Sequence, residues 1–166
     1  MVGLGFDVHG FAPGRPMLLG GILVDGHDGL AGHSDGDVVC HALADAVLGA
    51  AALGDVGEHF PETDPRLEGI AGATLLARTV EIVAQHGLAP ARCDLTVICD
   101  RPAIAPNRNH MREALSGVLG LSADRVSVKA ARPEGLGLQG DGVGCLAVAT
   151  LVEHPVPASA AGASAS

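Results

Sequence analysis

The chain has 166 residues, enough for one domain that buries about 70% of the surface its unfolded chain exposes. Nineteen acidic against ten basic residues give a formal charge of −9, and the basic residues are scattered, which excludes a binding surface for nucleic acid or an anionic membrane. No basic and apolar leader opens the chain, and no apolar run approaches 18 residues, so we expect a cytoplasmic protein without a membrane segment.

The chain has no Trp or Tyr and three Phe, so its core must be built from aliphatic side chains. Cys40, Cys93, Cys99 and Cys145 have no CxxC spacing and lie in apolar segments. This pattern predicts buried free thiols rather than disulfides.

The first third of the chain predicts two strands and a helix. Residues 2–10 and 17–25 are predicted strands that could pair as a hairpin across the Pro/Gly-rich loop 11–16. Ser34 to Asp37 resembles a capping box with Ser34 as N-cap, followed by the apolar run Val38–Leu53, which Gly54 closes. His41 would then lie about two turns into the helix.

The remaining elements follow in the order loop, helix, strand, helix, strand, strand. We predict a polar loop over 55–70, helices over about 71–86 and 107–119, the latter capped by Asn107, and strands over 93–99, 125–131 and 143–152. The last strand is apolar at odd and even positions, so we expect both faces to be covered, with helices on one side and a partner subunit as the candidate for the other. Residues 155–166 are a Pro/Ala/Ser tail that we expect to be disordered.

Asp7, His9 and His41 form the strongest candidate site. Asp7 and His9 alternate along a predicted strand, so both side chains point to one face. Two imidazoles and a carboxylate suit zinc, and three protein ligands leave the open position of a catalytic site. The Asp-x-His pair alone is more typical of a polar strand end than of a metal site, so its significance depends on the residues around it.

His33 and Ser34 precede the helix of His41, where their side chains and the free helix N–H groups could bind an anion; plain helix capping is the alternative. Asp37 and Asp45 lie one turn on either side of His41, and either could accept the second imidazole N–H, with surface solvation as the alternative. Three carboxylates of the following loop could bind hydroxyls or a cation, although a solvated loop is the default: Asp55, Glu62 and Asp64.

Taken together, six spaced blocks closely resemble the 2-C-methyl-D-erythritol 2,4-cyclodiphosphate synthase family of the non-mevalonate isoprenoid pathway, in order over about residues 2–153. The blocks are Gly5-Phe6-Asp7-Val8-His9, Leu19-Gly20-Gly21, His33-Ser34-Asp35-Gly36-Asp37-Val38, His41-Ala42-Leu43-Ala44-Asp45-Ala46, Leu53-Gly54-Asp55-Val56-Gly57 and Phe60-Pro61-Glu62-Thr63-Asp64-Pro65. The resemblance implies one α+β domain over residues 1–154, with a four-stranded mixed sheet and helices on one face. It further implies a homotrimer with active sites between neighbouring subunits.

The resemblance also assigns roles to residues. Zinc would be held by Asp7, His9 and His41, and a second cation, Mg²⁺ or Mn²⁺, by Glu134. Catalytic roles fall on His33, Arg132 and Glu134. Contacts to the cytidine diphosphate-linked substrate are implied at Asp7, His9, His33, Ser34, Asp55, Val56, Gly57, Phe60, Glu62, Thr63, Asp64, Cys99, Pro102, Ala103, Ile104, Ala105, Ala131, Arg132, Pro133, Glu134, Leu138 and Asp141.

The implied activity is that of a phosphorus–oxygen lyase. The 2-phosphate of 4-diphosphocytidyl-2-C-methyl-D-erythritol 2-phosphate attacks the β-phosphorus, CMP leaves, and a cyclic diphosphate remains.

Several residues near the C-terminus depart from the family pattern. Ala131-Arg132-Pro133 replaces a run of hydroxyl residues, Asp141 stands where Arg is common, Val143 where Glu is common, and Leu138 where an aromatic is common. A catalytically weakened, zinc- and nucleotide-binding regulatory trimer is therefore the alternative function. A zinc hydrolase ranks third, because no separate general base for water is identifiable.

Overall fold

The computed structural model describes residues 1–135 and 141–153. Leu138, the expected domain boundary at 154 and the expected Pro/Ala/Ser tail lie outside the described residues. No helix in the described part is long and apolar enough to cross a lipid bilayer.

The first two strands form a hairpin whose turn differs from the prediction. Strand β1 spans Val2–Leu19 and strand β2 spans Ile22–Leu30. Gly20 and Gly21, with φ of 62° and 78°, supply the two left-handed residues that a two-residue hairpin turn needs. The predicted hairpin across 11–16 is wrong: that segment continues β1, and its irregular pairing with β2 accommodates the prolines as a bulge.

Helix α1 spans Val38–Ala50, and its N-cap is Asp37, not the predicted Ser34. The Asp37 carboxylate accepts the N–H groups of the second and third helical residues, which satisfies the cap directly. His41 therefore lies in the first helical turn, not two turns in. The helix also ends before the predicted Leu53, because Ala52 turns left-handed with φ of 56°.

The rest of the chain follows the predicted order with shifted bounds. The predicted polar loop contains the short helix α2, Val56–His59, and a 3₁₀ turn, Pro65–Leu67. Helix α4, Arg108–Leu119, has no side-chain cap from Asn107, contrary to prediction, because a 3₁₀ turn leads into it. The other elements are α3 (Gly72–Gln85), β3 (Leu88–Ile98), β4 (Val126–Ala131) and β5 (Gly142–Glu153).

One mixed sheet joins all the strands in the order β2-β1-β5-β3-β4. β3 and β4 run parallel, connected through α4, and the other neighbours are antiparallel. The predicted α+β fold with a mixed sheet is confirmed, but residues 1–135 and 141–153 form a sheet of five strands, where the resemblance implied four. The extra strand is β2, which pairs only with the C-terminal half of β1, while the N-terminal half pairs with β5.

The two faces of the sheet differ. On one face α1 crosses β1 at Gly3 and Gly5, where a Cβ would overlap the helix backbone. The opposite face carries what we call the outer apolar patch, whose β1 members are between 42% and 67% exposed: Val2, Leu4, Phe6 and Val8 of β1 with Leu146 and Val152 of β5. All four cysteines are buried free thiols, as predicted.

Candidate metal and substrate site

The three predicted metal ligands lie together. Asp7 Oδ2 is 3.0 Å from His9 Nε2 and 3.1 Å from His41 Nδ1, and one ligand atom from each residue lies within 4.8 Å of the others. Tetrahedral ligands about 2.0–2.1 Å from zinc stand roughly 3.3 Å apart. The donor set therefore fits a divalent metal, because it needs only a small adjustment to surround one.

Neighbouring groups hold the His41 ring on both sides. Ser34 Oγ lies 3.0 Å from Nε2, while Nδ1 faces Asp7. Burial lowers the pKa of His41, but the hydrogen bond and charge of Asp7 outweigh it and raise the pKa above its usual value. For Asp7 burial acts in the opposite direction and raises the pKa, but the hydrogen bonds and charges of His41 and His9 outweigh it and hold the pKa of Asp7 well below its usual range. Asp7 is therefore a carboxylate at neutral pH, as metal binding requires.

A cavity of about 230 Å³ opens beside these ligands. One wall carries the side chains just before α1, and the other carries the segment around α2. The predicted site residues that line the cavity are Asp7, His9, His33, Ser34, His41, Val56, Gly57, Phe60, Glu62 and Asp64. Asp55 and Thr63 adjoin this lining: Asp55 caps α2 through the N–H of Glu58 at 2.9 Å.

Neither Asp37 nor Asp45 accepts a hydrogen bond from the His41 ring, whose partners are Ser34 and Asp7. The prediction that one of the two carboxylates would accept the second imidazole N–H is therefore wrong. Asp37 is buried as the α1 cap. Asp45 lines the cavity and accepts the N–H of Val56 at 2.8 Å, so it fixes the start of α2. Burial is the main cause that raises the pKa of Asp45. Both carboxylates thus act on the backbone that carries the site.

The remaining predicted site residues lie outside the cavity lining, at the ends of strands of the same sheet or in the segments next to them. One row of paired residues crosses the sheet from β1 to β4: Val8, Gly144, Ile98 and Ala131. Three strand spacings, about 14 Å, therefore separate β4 from β1, which we call the ligand strand because it carries Asp7 and His9. Asp141 is also outside the cavity lining, but it lies beside β1, where its carbonyl accepts the N–H of Phe11 at 2.9 Å. The other predicted residues outside the lining lie on or after β3 and β4: Cys99, Pro102, Ala103, Ile104, Ala105, Ala131, Arg132, Pro133 and Glu134. The described chain therefore brings together one half of the predicted site and leaves the other half apart.

Several further residues at this site were not predicted from the sequence. Pro61, Leu67, Glu68, Ile70 and Leu75 also line the cavity. All lie in the loop and helix start after α2, and only Pro61 belonged to a recognised block. Apolar residues in a polar loop were the one available signal.

The five-stranded α+β fold, the Asp7, His9 and His41 cluster and the cavity beside it can be compared with those of known protein families. The model of the YgbB family matches residues 1–153, and the chain belongs to that family. It is 48% identical over 153 residues to the 2-C-methyl-D-erythritol 2,4-cyclodiphosphate synthase of Symbiobacterium thermophilum, covering 91% of this chain and 98% of that protein. The resemblance inferred from the sequence blocks is therefore confirmed.

Solved structures give the same result. The CDP-bound form of a 2C-methyl-D-erythritol-2,4-cyclodiphosphate synthase superposes with a TM-score of 0.85 at 36% identity, covering 92% of this chain and all of that one (100%). The bifunctional IspDF of Campylobacter jejuni superposes with a TM-score of 0.88 at 36% identity, covering 93% of this chain and 42% of that one.

Proposed function

We propose that this protein converts 4-diphosphocytidyl-2-C-methyl-D-erythritol 2-phosphate to 2-C-methyl-D-erythritol 2,4-cyclodiphosphate and CMP. The observation that carries the proposal is the cluster of Asp7, His9 and His41 at the mouth of a cavity lined by two predicted substrate segments. Membership of the YgbB family and the names of its relatives support the same reaction.

The proposed resident metal is zinc, held by Asp7, His9 and His41. When bound it supplies Lewis-acid polarisation of the β-phosphate and neutralises developing charge. The His9 and His41 rings must stay neutral at the metal-facing nitrogen, and Asp7 stays ionised. A second cation, Mg²⁺ or Mn²⁺, is proposed at Glu134.

The protein's own contribution is to fold the substrate onto itself. His33 and Ser34 hold the phosphate side, while Asp55 to Gly57 and the stretch Phe60–Asp64 hold the methylerythritol hydroxyls. An oxygen of the 2-phosphate then forms a bond to the β-phosphorus as the bond from that phosphorus to the CMP oxygen breaks. The attacking oxygen is already anionic, so the main requirement is positioning, and no protein nucleophile is needed.

We further propose that neighbouring subunits complete the site in a homotrimer. The β4 end that carries Ala131 is about 14 Å from β1, the strand of Asp7 and His9, within one chain, which favours a second chain as the source of the Arg132 and Glu134 side chains at the cavity. Exposed apolar side chains on the sheet face opposite the helices support such an assembly: Val2, Leu4, Phe6, Val8, Leu146 and Val152.

Three residues carry the proposed catalytic roles. Arg132 and Glu134 lie on the cytidine side, and His33 lies at the cavity beside the metal cluster. Arg132 is exposed at the end of β4, and its guanidinium can donate charge-assisted hydrogen bonds to a phosphate. This donor would replace the missing hydroxyls of the Ala131-Arg132-Pro133 stretch, and it is the feature on which turnover depends.

Phosphorus NMR of the metal-loaded protein with the diphosphocytidyl substrate tests the proposal. We expect CMP and the cyclic diphosphate to appear together in equal amounts. Retained nucleotide and zinc binding with turnover close to the uncatalysed rate would favour the regulatory trimer instead. CMP or phosphate released with an uncyclised product would favour a hydrolase. Either of these outcomes would overturn the proposed function.

A further inference from the structure

Arg15 reaches from the irregular part of β1 to the loop that precedes α1. Its Nη1 donates to the carbonyl oxygen of Gly32 at 2.8 Å, and its Nη2 donates to the carbonyl oxygen of Ser34. These two carbonyls stand on either side of His33. One planar guanidinium therefore spans the backbone of the residue that faces the cavity.

Every carbonyl in this three-residue loop has a donor. The carbonyl of His33, between the two that Arg15 binds, accepts the N–H of Gly69 at 2.9 Å. Arg15 is the only side chain among these donors, so it is the one a substitution can remove without changing the backbone. The loop conformation therefore depends on a residue that the sequence blocks did not include.

The loop acts in turn on the metal ligands. Ser34 Oγ lies 3.0 Å from His41 Nε2, and His41 Nδ1 lies 3.1 Å from Asp7. A shift of the Ser34 backbone moves its hydroxyl, and the His41 ring loses the partner on its outer nitrogen. Such partners set the orientation of a metal-binding imidazole.

Arg15 also brings charge to an acidic cavity. Carboxylates lining the cavity are Asp7, Asp45, Glu62, Asp64 and Glu68. Arg66 is paired with Asp64 at 2.7 Å, whereas Arg15 forms no ion pair with any carboxylate of residues 1–135 or 141–153. Its positive charge lies behind the loop that faces the substrate phosphate, where it favours an anion.

We propose that Arg15 is a positioning residue, whose guanidinium holds the 32–34 loop so that Ser34 orients the His41 ring and His33 and Ser34 face the substrate phosphate. The phosphate part rests on the proposed function; the part concerning His41 rests on the contacts alone. Arg15 itself touches neither the reacting atoms nor the metal ligands.

The test compares Arg15→Lys with Arg112→Lys. A lysine ammonium keeps the charge but is a compact donor without the rigid fork that spans two carbonyls. Arg112 is a matched control, because its guanidinium also donates to two backbone carbonyls, Ala123 at 2.7 Å and Val126 at 2.9 Å. It does so on α4, away from the cavity lining.

The first readout is the zinc dissociation constant, measured by competition with a chromophoric chelator, with the melting temperature followed in parallel. We expect Arg15→Lys to weaken zinc binding about tenfold, the lower end of what loss of a ligand's orienting partner costs. Arg112→Lys should leave zinc affinity unchanged while lowering the melting temperature. Wild-type zinc affinity in Arg15→Lys, or equal weakening in both variants, overturns the proposal.

The second readout separates kcat from KM at saturating zinc. Arg15→Lys should lower kcat about tenfold, because a misplaced loop loses orientation of the reacting phosphate, and Arg112→Lys should retain the wild-type kcat. Unchanged kcat in Arg15→Lys contradicts the phosphate part of the proposal. If the wild type forms no cyclic product, the proposed function fails, and the zinc comparison still decides the role of Arg15.

Discussion

The buried carboxylate of Asp37 joins the β1–β2 turn to the start of α1. Its Oδ1 accepts the N–H groups of Gly20, Val39 and Cys40 at 2.8, 3.0 and 3.1 Å, and its Oδ2 accepts that of Gly21 at 2.7 Å. The side chain is 1% exposed. Four charge-assisted bonds thus fix the helix that carries His41 against β1, the strand that carries the other two proposed ligands, Asp7 and His9.

We therefore expect Asp37→Asn to lower the free energy of unfolding by about 2–4 kcal/mol, because the amide NH₂ would face backbone donors without an acceptor. Urea unfolding measures the difference. Asp25→Asn is the control: Asp25 is exposed on β2 and should change stability by less than about 0.5 kcal/mol. Equal stability of Asp37→Asn and wild type would refute the anchoring role.

The metal assignment also makes a prediction at single residues. Purified protein should carry about one zinc per chain, and His41→Ala should lose most of it, since a site cut from three ligands to two loses much of its binding free energy. Elemental analysis after gel filtration provides the measurement. His110→Ala, which removes an exposed imidazole from α4, should keep full zinc. Equal zinc in the two variants would rule out His41 as a ligand.

Among the secondary-structure elements, β1 and α1 make the closest approach that the site depends on. A Cβ built on Gly5 would overlap the carbonyl oxygen of Ala42 and approach the backbone N of Ala46. Both contacts are with backbone, which cannot move as a flexible side chain can. The separation of α1 from the strand of Asp7 and His9 is therefore set by the absence of a side chain.

Gly5→Ala should accordingly destabilise the protein by about 1–3 kcal/mol, as overpacking does elsewhere. Alanine at Gly117 should instead raise the free energy of unfolding. Gly117 lies inside α4 with nothing within 4 Å of an added Cβ, so alanine should stabilise the helix by about 0.5–1 kcal/mol. Thermal unfolding of both variants checks the pair, and a change of the same sign in both would contradict this packing account.

The elements that the sequence predicted well have a strong local signal, which is a regular period in some and a continuous apolar run in β5. The apolar residues of α3 repeat along one helical face and those of β4 alternate, and both elements lie within a residue of their predicted bounds. The hairpin was misplaced because two turn signals competed, and the Gly20-Gly21 pair determined the turn while the prolines were accommodated in a bulge. Ser34 and Asp37 are both residue types that cap helices, and only Asp37 also accepts the N–H groups of Gly20 and Gly21, contacts that no local pattern contains.

At the candidate site, too, the residues predicted from the sequence are those related by local spacing, and the residues missed are those related by tertiary contacts. Asp7 and His9 were predictable because strand alternation alone puts them on one face, and His41 because its helix follows closely. Arg15 was not, because its partners lie 17 and 19 residues away along the chain, across the hairpin. The cytidine-side residues came from family resemblance only, since no spacing rule relates β4 to the ligand strand.

For the whole molecule, the outer apolar patch predicts self-association. Phe6 is 50% exposed at the centre of the patch, and Phe6→Asp should convert a trimer to monomers, because three buried carboxylates would be desolvated without partners. Light scattering gives the mass. Leu23→Asp is the control, because Leu23 is 55% exposed on β2 outside the patch, and that variant should remain a trimer. A monomeric wild type at micromolar concentration would remove the shared-site model.

The central claim is that one reaction site combines the metal half of one subunit with the cytidine half of its neighbour. Co-expression of His41→Ala with Glu134→Gln tests it most directly, since each variant alone lacks one half of every site. In trimers assembled at random from equal amounts, about a quarter of the sites join two intact halves, so about a quarter of wild-type cyclic diphosphate formation should return. Mixed trimers as inactive as the separate variants would contradict the account.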